Sequence, residues 1–310
     1  MQQTPKILVI RGGAIGDFIL TLPVLSALRR QFPDAHLEVL GYPHIVQLAV
    51  NGGLVDAVRS IEASALAGFF ARGGNLDGAL QKYFSEFALI ISYLFDPDKI
   101  FQTNIARCTK AQFIVGPHRP NESDGVHATK VFLQPLERLA IFDSDAMPRL
   151  VKPLPTRAKC DSSDRCLALH PGSGSERKNW PEEKWSELLR ELVHSTNLTF
   201  LLVGGEAEGE RLERLARPLP DSRVRVARNL PLTELSRRLA SCAAFVGHDS
   251  CISHLAAAIG LPALILWGDS VEAVWHPQGE QVVIIRDSAG LPLIPVEAVA
   301  SALKNLLAAV

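Results

Sequence analysis

The sequence predicts an α/β protein of two Rossmann-like domains, each a parallel sheet flanked by helices, facing each other across a cleft. Three observations carry that prediction. Short apolar, β-rich runs alternate with segments of helical period along all 310 residues. Several of these runs end in small polar residues that lead straight into a helix. A charged, strand-poor stretch from Met147 to Ser163, holding Pro148, Pro153 and Pro155, separates two halves. The length suits two cores of about 150 residues each.

In the first half, strands are expected at Lys6–Ile10, Leu37–Gly41, Ala57–Ile61, Ala88–Ser92 and Gln112–Val115. Ile19, Leu22, Leu25 and Leu28 fall on one face of the helix that follows the first strand. In the second half, strands are expected near Leu167–Leu169, Thr199–Val203, Val224–Ala227, Ala243–Gly247, Ala263–Trp267 and Val282–Ile285. Between the first two, Trp185, Leu188, Leu189, Leu192 and Val193 keep helical spacing behind Pro181, which suits a first turn. Val296, Val299, Ala300, Leu303, Leu306 and Leu307 predict an amphipathic helix at the end of the chain.

Composition narrows the function classes. Hydrophobic residues make up 47% of the chain, and 32 Lys and Arg face 33 Asp and Glu. That balance argues for a globular protein and against one that coats nucleic acid or is drawn wholesale to anionic lipid. Five cysteines (Cys108, Cys160, Cys166, Cys242, Cys251) form no C-x-x-C pair, which suits reduced thiols better than a disulfide framework. Ile7 to Ile10 is too short for a signal peptide, and no apolar run approaches the roughly 20 residues of a membrane helix. The expectation is a cytoplasmic protein.

Three junctions carry the chemistry. After the first strand comes Arg11-Gly12-Gly13-Ala14-Ile15-Gly16-Asp17; glycines allow a tight turn and close approach of backbone to a ligand. The spacing is not G-x-G-x-x-G, and the second strand ends in Gly41-Tyr42 without an acid for a ribose, which argues against a dinucleotide site. Asp17 is either a first-turn cap or a carboxylate at the sheet edge, kept ionised by the helix dipole as a general base must be. The second junction, His170 to Pro181, offers Ser173, Gly174 and Lys178: a solvated lysine, or a cation for a phosphate. The third is Asp249-Ser250-Cys251-Ile252-Ser253-His254, where a strand gives way to a helix N-terminus that favours an anion. Asp249 and Ser250 are also good caps, and His254 also reads as a core histidine. Together the second and third junctions predict two sides of a diphosphate pocket.

These motifs resemble the family-nine glycosyltransferases, typified by ADP-heptose:lipopolysaccharide heptosyltransferases. The match rests on Arg11 to Pro23, on His170-Pro-Gly-Ser with Lys178-Asn-Trp-Pro181 and Trp185, and on Val246 to Pro262 followed by Trp267-Gly268-Asp269. The resemblance implies a GT-B fold, with an acceptor-binding domain over 1–155 and a nucleotide-sugar-binding domain over 156–294. It implies that the helix in 295–310 packs back on the first domain. By motif position, Asp17 is the base, Ser173, Gly174 and Lys178 contact the diphosphate, Asp249, Ser250, Cys251 and His254 line its other side, and Glu206 reaches the nucleoside. The implied reaction is inverting transfer from a nucleotide sugar, ADP-heptose above others, to a glycan or glycolipid acceptor. It needs no cofactor or metal and at most peripheral contact with the inner face of the inner membrane. Cys251 stands where the family often has Gly; at a helix N-terminus it is expected to be a modestly reactive thiol.

Other chemistries find less support. Asp96-Pro97-Asp98 is a D-x-D, but Asp96 as a cap with Pro97 in a first turn explains it as well. His248 and His254 are poorly spaced for zinc, and no G-x-S-x-G elbow occurs. Leu66, Phe69 and Phe70 are expected to pack in a core, with lipid contact as the alternative. Two rival functions share the fold: a sugar-nucleotide epimerase, and a nucleotide-sugar-binding protein that transfers nothing.

Overall fold

The computed structural model describes residues 4–150 and 165–309, in two units that divide between Val151 and Lys152. The expected linker over 147–163 and Cys160 fall largely or wholly outside the described residues.

In the first unit the strands are β1 (Lys6–Ile10), β2 (His36–Gly41), β3 (Ala57–Ser60), β4 (Leu89–Ser92) and β5 (Gln112–Val115). Its helices are α1 (Ile15–Ile19), α2 (Leu22–Gln31), α3 (Pro43–Asn51), α4 (Gly78–Ser85), α5 (Ile100–Ala106) and α6 (Ala128–Leu133). The sheet is parallel, in the order β3-β2-β1-β4-β5. Strands β1 and β4 are buried along almost their whole length, as strands covered by helices on both faces must be. Leu8, Ile10 and Ile90 meet Phe69, Phe84 and Phe101 in one core, so Leu66 and Phe69 pack inside as expected. Phe70 is half-exposed and stacks on Phe101, ring centroids 4.9 Å apart.

The second unit repeats the plan with β6 (Cys166–Leu169), β7 (Thr199–Gly204), β8 (Val224–Arg228), β9 (Ala244–His248), β10 (Ala263–Leu266) and β11 (Val282–Ile285). Between and after them lie α7 (Glu182–Ser195), α8 (Arg211–Ala216), α9 (Leu232–Ala240), α10 (Cys251–Ala258), α11 (Glu272–Trp275) and α12 (Val296–Ala308). All pairings are parallel and the order is β11-β10-β9-β6-β7-β8.

Each order contains one reversal. The chain builds outward from β1 through β2 and β3, then returns to β4 on the other side; it does the same from β6, returning at β9. At such a switch point the flanking loops diverge and leave a crevice beyond the carboxyl ends of the strands, where open α/β sheets bind ligands. The loops that matter here follow β1 and β4 in one unit, and β6 and β9 in the other.

Helix α12 falls in the second unit. Val296, Val299, Leu303 and Leu306 join the core of the second unit with Trp185, Leu188, Leu192 and Leu264. The stripe of α7 runs the length of that helix and presents a matching apolar face, against which α12 packs. Arg165 Nη1 donates to Leu307 O at 3.0 Å and ties the end of α12 to the start of the same unit.

Candidate functional site

In the first unit the site is built around Arg11, the first residue after β1. Its side chain is buried, and its guanidinium lies 4.5 Å over the Phe132 ring. Nη1 donates to His118 O at 3.0 Å, while Nε and Nη2 point to Asp17 O at 3.4 and 3.3 Å. Nη2 also stands 3.5 Å from Asp17 Oδ1. Burial pulls the guanidinium below its ordinary pKa, and the Asp17 carboxylate is the main influence opposing it. The sequence motif alone assigns Arg11 no role; its signal is a cation directly after a buried strand.

Asp17 does cap: its Oδ2 accepts from Ala14 N at 2.9 Å. The two readings of Asp17 are compatible, because a carboxylate accepts several hydrogen bonds and this side chain keeps about 32% of its surface exposed. Gly13 has φ +100°, and a Cβ there would press on the Asp17 carboxylate, so glycine is required for the turn to close on it. Gly12 lies beside Gly13 before the helix, and Gly16 falls inside α1.

The acids of the D-x-D serve different neighbours. Asp96 Oδ1 and Oδ2 accept from Phe101 N and Gln102 N at 3.2 and 3.0 Å, so Asp96 caps α5. Asp98 is exposed, 3.9 Å from Arg72. Pro97 precedes the first turn of α5 and does not occupy it, because the helix begins only at Ile100.

In the second unit the loops after β6 and β9 interlock. Lys178 Nζ lies 2.6 Å from Asp249 Oδ2, and Ser270 Oγ donates to the same oxygen at 2.5 Å. His170 Nδ1 is 3.2 Å from Ser250 Oγ, and its Nε2 is 3.6 Å from Glu208 Oε1. Ser250 is the N-cap of α10 and accepts from Ser253 N at 3.4 Å. Ser173, expected at the diphosphate, is buried and donates to Ser175 O at 2.8 Å, while Gly174 beside it is exposed. His254 is buried in α10.

The turn after β7 gains a second acid, and the Cys251 thiol departs from expectation. Glu206 is exposed at the start of its turn, whereas Glu208, two residues on, is buried and accepts from Gly205 N at 2.5 Å. Burial is the largest influence on the Glu208 carboxyl and pushes it up. The neighbouring His170 imidazole and the hydrogen bond from the Gly205 N–H outweigh it and hold the group below the ordinary glutamate value. A Cβ on Gly172 would collide with this carboxylate, which explains the glycine there. Cys251 is not activated: burial pushes its thiol up, and the helix N–H groups that stabilise a thiolate do not compensate.

His248, the last residue of β9, holds the two loops together. It is fully buried; its Nε2 accepts from Trp180 N at 2.9 Å, which leaves the proton on Nδ1, 3.3 Å from Gly172 O. Burial pushes its pKa down to about 3, with the Gly172 carbonyl partly opposing. Beyond Asp249, a cavity of about 420 Å3 opens at the carboxyl ends of β10 and β11, lined by Trp267, Asp269, Arg286, Asp287 and Ser288. Its volume falls in the range of small-molecule sites. Trp267 Nε1 donates to Ser270 O at 2.8 Å, which links the cavity wall to Asp249 through Ser270.

Residues 144–292 match the profile of glycosyltransferase family 9 (heptosyltransferase). Lipopolysaccharide heptosyltransferase 3 of Escherichia coli K12 is 22% identical over 94% of this chain and 95% of its own length. A solved structure described as glycosyl transferase family 9 from Veillonella parvula DSM 2008 has a TM-score of 0.77 at 17% identity, covering 100% of this chain and 99% of that one. The E. coli heptosyltransferase WaaC with ADP has a TM-score of 0.75 at 19% identity, covering 97% and 99%. The structural likeness shows the fold, two parallel-sheet α/β domains.

His248 makes stability depend on pH. Its folded pKa lies below the ordinary 6.5, so on acidification the unfolded chain takes up the proton first. Its contribution is whole above pH 6.5 and is lost as the pH falls toward 3, with a slope of about 1.4 kcal/mol per pH unit for one proton. His248→Gln, which keeps an acceptor near Trp180 N, should flatten that part of the profile in urea unfolding between pH 6.5 and 4.5. Parallel profiles for wild type and variant would contradict a neutral buried imidazole.

Proposed function

We propose that this family-nine glycosyltransferase moves a heptose from ADP-heptose to a lipopolysaccharide-core or related glycan acceptor, with inversion at the anomeric carbon and without a metal ion. The observation that carries the reading is the pairing of Lys178 with Asp249 at the switch point of the second unit. There a cation and the N-terminus of α10 stand where an anion is favoured. The relatives' names supply the sugar and the acceptor class.

In the reaction, the acceptor hydroxyl oxygen attacks the anomeric carbon as the bond to the diphosphate breaks. Asp17 takes the hydroxyl proton, and the leaving diphosphate keeps the electron pair. Arg11 positions Asp17 from the buried side and leaves the exposed part of its carboxylate for the acceptor. An ammonium has three protons, so Lys178 can keep Asp249 and still donate to diphosphate oxygens. That donation, with the α10 N–H groups, offsets the charge growing on the leaving group, the role a metal plays elsewhere. Among the described residues no group of three or more His, Cys, Asp or Glu is arranged to hold a metal. No described helix is long and apolar enough to cross a membrane, and contact with a glycolipid acceptor is peripheral in this reading.

Asp17→Asn should retain ADP binding while turnover falls by about two to four orders of magnitude. Turnover close to wild type would return Asp17 to the role of a cap alone. Lys178→Ala should act differently and weaken donor affinity as well as rate, because its charge meets the diphosphate in both ground and transition states. Calorimetric titration with ADP in chelator-containing buffer reads the affinity directly; an unchanged dissociation constant would remove Lys178 from the phosphate site.

A further inference from the structure

Two cysteines lie apart from the loops described above, at the opposite ends of the same two strands. Cys166 begins β6, and Cys242 sits in the turn between α9 and β9. Cys242 Sγ lies 3.7 Å from Cys166 Sγ and 3.4 Å from Arg238 O, two acceptors within reach of its one S–H. Cys166 is partly exposed, whereas Cys242 is buried. Leu167 pairs with Ala244, and Ala243 N donates to Cys166 O at 2.7 Å, so Cys166 stands opposite Ala243 and Cys242 is one residue further along. With strands about 4.8 Å apart and a rise of about 3.3 Å per residue, the Cα separation is about 6 Å, inside the span a disulfide bridges.

We propose that Cys166 and Cys242 are a thiol-modification site, which a small-molecule disulfide of the glutathione class oxidises to a disulfide joining the starts of β6 and β9. Cys166 acts first. The hydrogen bond from Cys242 pulls its thiol down to about 7 against burial, with Thr199 and Arg225 assisting, so a substantial thiolate fraction exists near neutral pH. The Cys166 thiolate attacks one sulfur of the small-molecule disulfide, whose S–S bond breaks and releases one thiolate, leaving a mixed disulfide on Cys166. Cys242, as thiolate, then attacks Cys166 Sγ and expels the second small thiolate. The two protein thiols lose two electrons and two protons; the small disulfide gains them and leaves as two thiols.

The bridge is remote from the proposed donor site. His170, directly after β6, lies four positions beyond Cys166, which is on the order of 13 Å at strand rise. It would pin together the two strands that flank the switch point, at the end away from the ligand loops. The proposal stands independently of the glycosyl-transfer reading.

The experiment equilibrates the full chain with oxidised glutathione, quenches it in denaturant with N-ethylmaleimide, and maps it after trypsin and chymotrypsin, cleaving at Phe245 to separate Cys242 from Cys251. The expected result is a Cys166–Cys242 linked peptide, two hydrogens lighter than its reduced parts and restored by dithiothreitol. Cys166→Ser should leave Cys242 fully alkylated, and Cys242→Ala should trap glutathione on Cys166. If either variant fails to fold, the wild-type map decides alone. Alkylation of both thiols after equilibration, glutathione retained on wild-type Cys166, or a bridge to another cysteine would overturn the proposal. ADP affinity should be the same in the oxidised and reduced chains. Loss of ADP binding on oxidation alone would overturn the remoteness of the site, whereas absence of binding in both forms would count against the proposed function and not against the dithiol.

Discussion

The buried imidazole of His248 is the contact on which the second unit's site depends. It closes β9 and accepts the Trp180 N–H, while its own N–H faces Gly172 O, so both ends of the loop after β6 are tied to the strand that starts the neighbouring loop. Removing the acceptor would leave a buried N–H unpaired, at a cost of about 1–3 kcal/mol. The ring also packs edge-on against Trp185, which in turn packs against Trp180, with centroids 5.4 and 5.3 Å apart. Trp180 Nε1 and Lys184 Nζ both donate to Ile294 O, so the same cluster fixes the segment that leads into α12. The loop held this way carries Lys178, whose Nζ reaches Asp249.

The two units solve one problem twice. In each, the residue directly after the first strand is polar, buried and turned toward a carboxylate: Arg11 toward Asp17, His170 toward Glu208. A buried polar group is costly unless it is satisfied, so such a residue specifies the loop beyond it by demanding its partner. The difference lies in exposure. Asp17 remains open enough to meet a ligand, whereas Glu208 is enclosed and serves to hold His170 beside the cap of α10.

The strands were legible because apolar runs bounded by small residues are a local signal, and β1, β5 and β11 begin and end where the sequence predicts. The junctions were legible for the same reason. What was not legible depended on distant partners. An amphipathic stripe shows that α12 packs but not on what, and its partner proved to be the stripe of α7. Glu206 and Glu208 differ in sequence only by position; the close approach allowed by Gly172 brings the second inward. For Cys251, a helix N-terminus and burial oppose each other, and only the structure shows that burial prevails.

The central claim is that the loops after β6 and β9 recognise a diphosphate through Lys178 and the start of α10. The most direct measurement compares ADP with adenosine by calorimetric titration of the full chain in chelator-containing buffer. The account predicts that ADP binds, that adenosine binds far more weakly, and that the gap narrows as salt rises, since part of the attraction is charge on a half-exposed lysine. Adenosine binding as tightly as ADP, or ADP binding only when a divalent metal is restored, would contradict it.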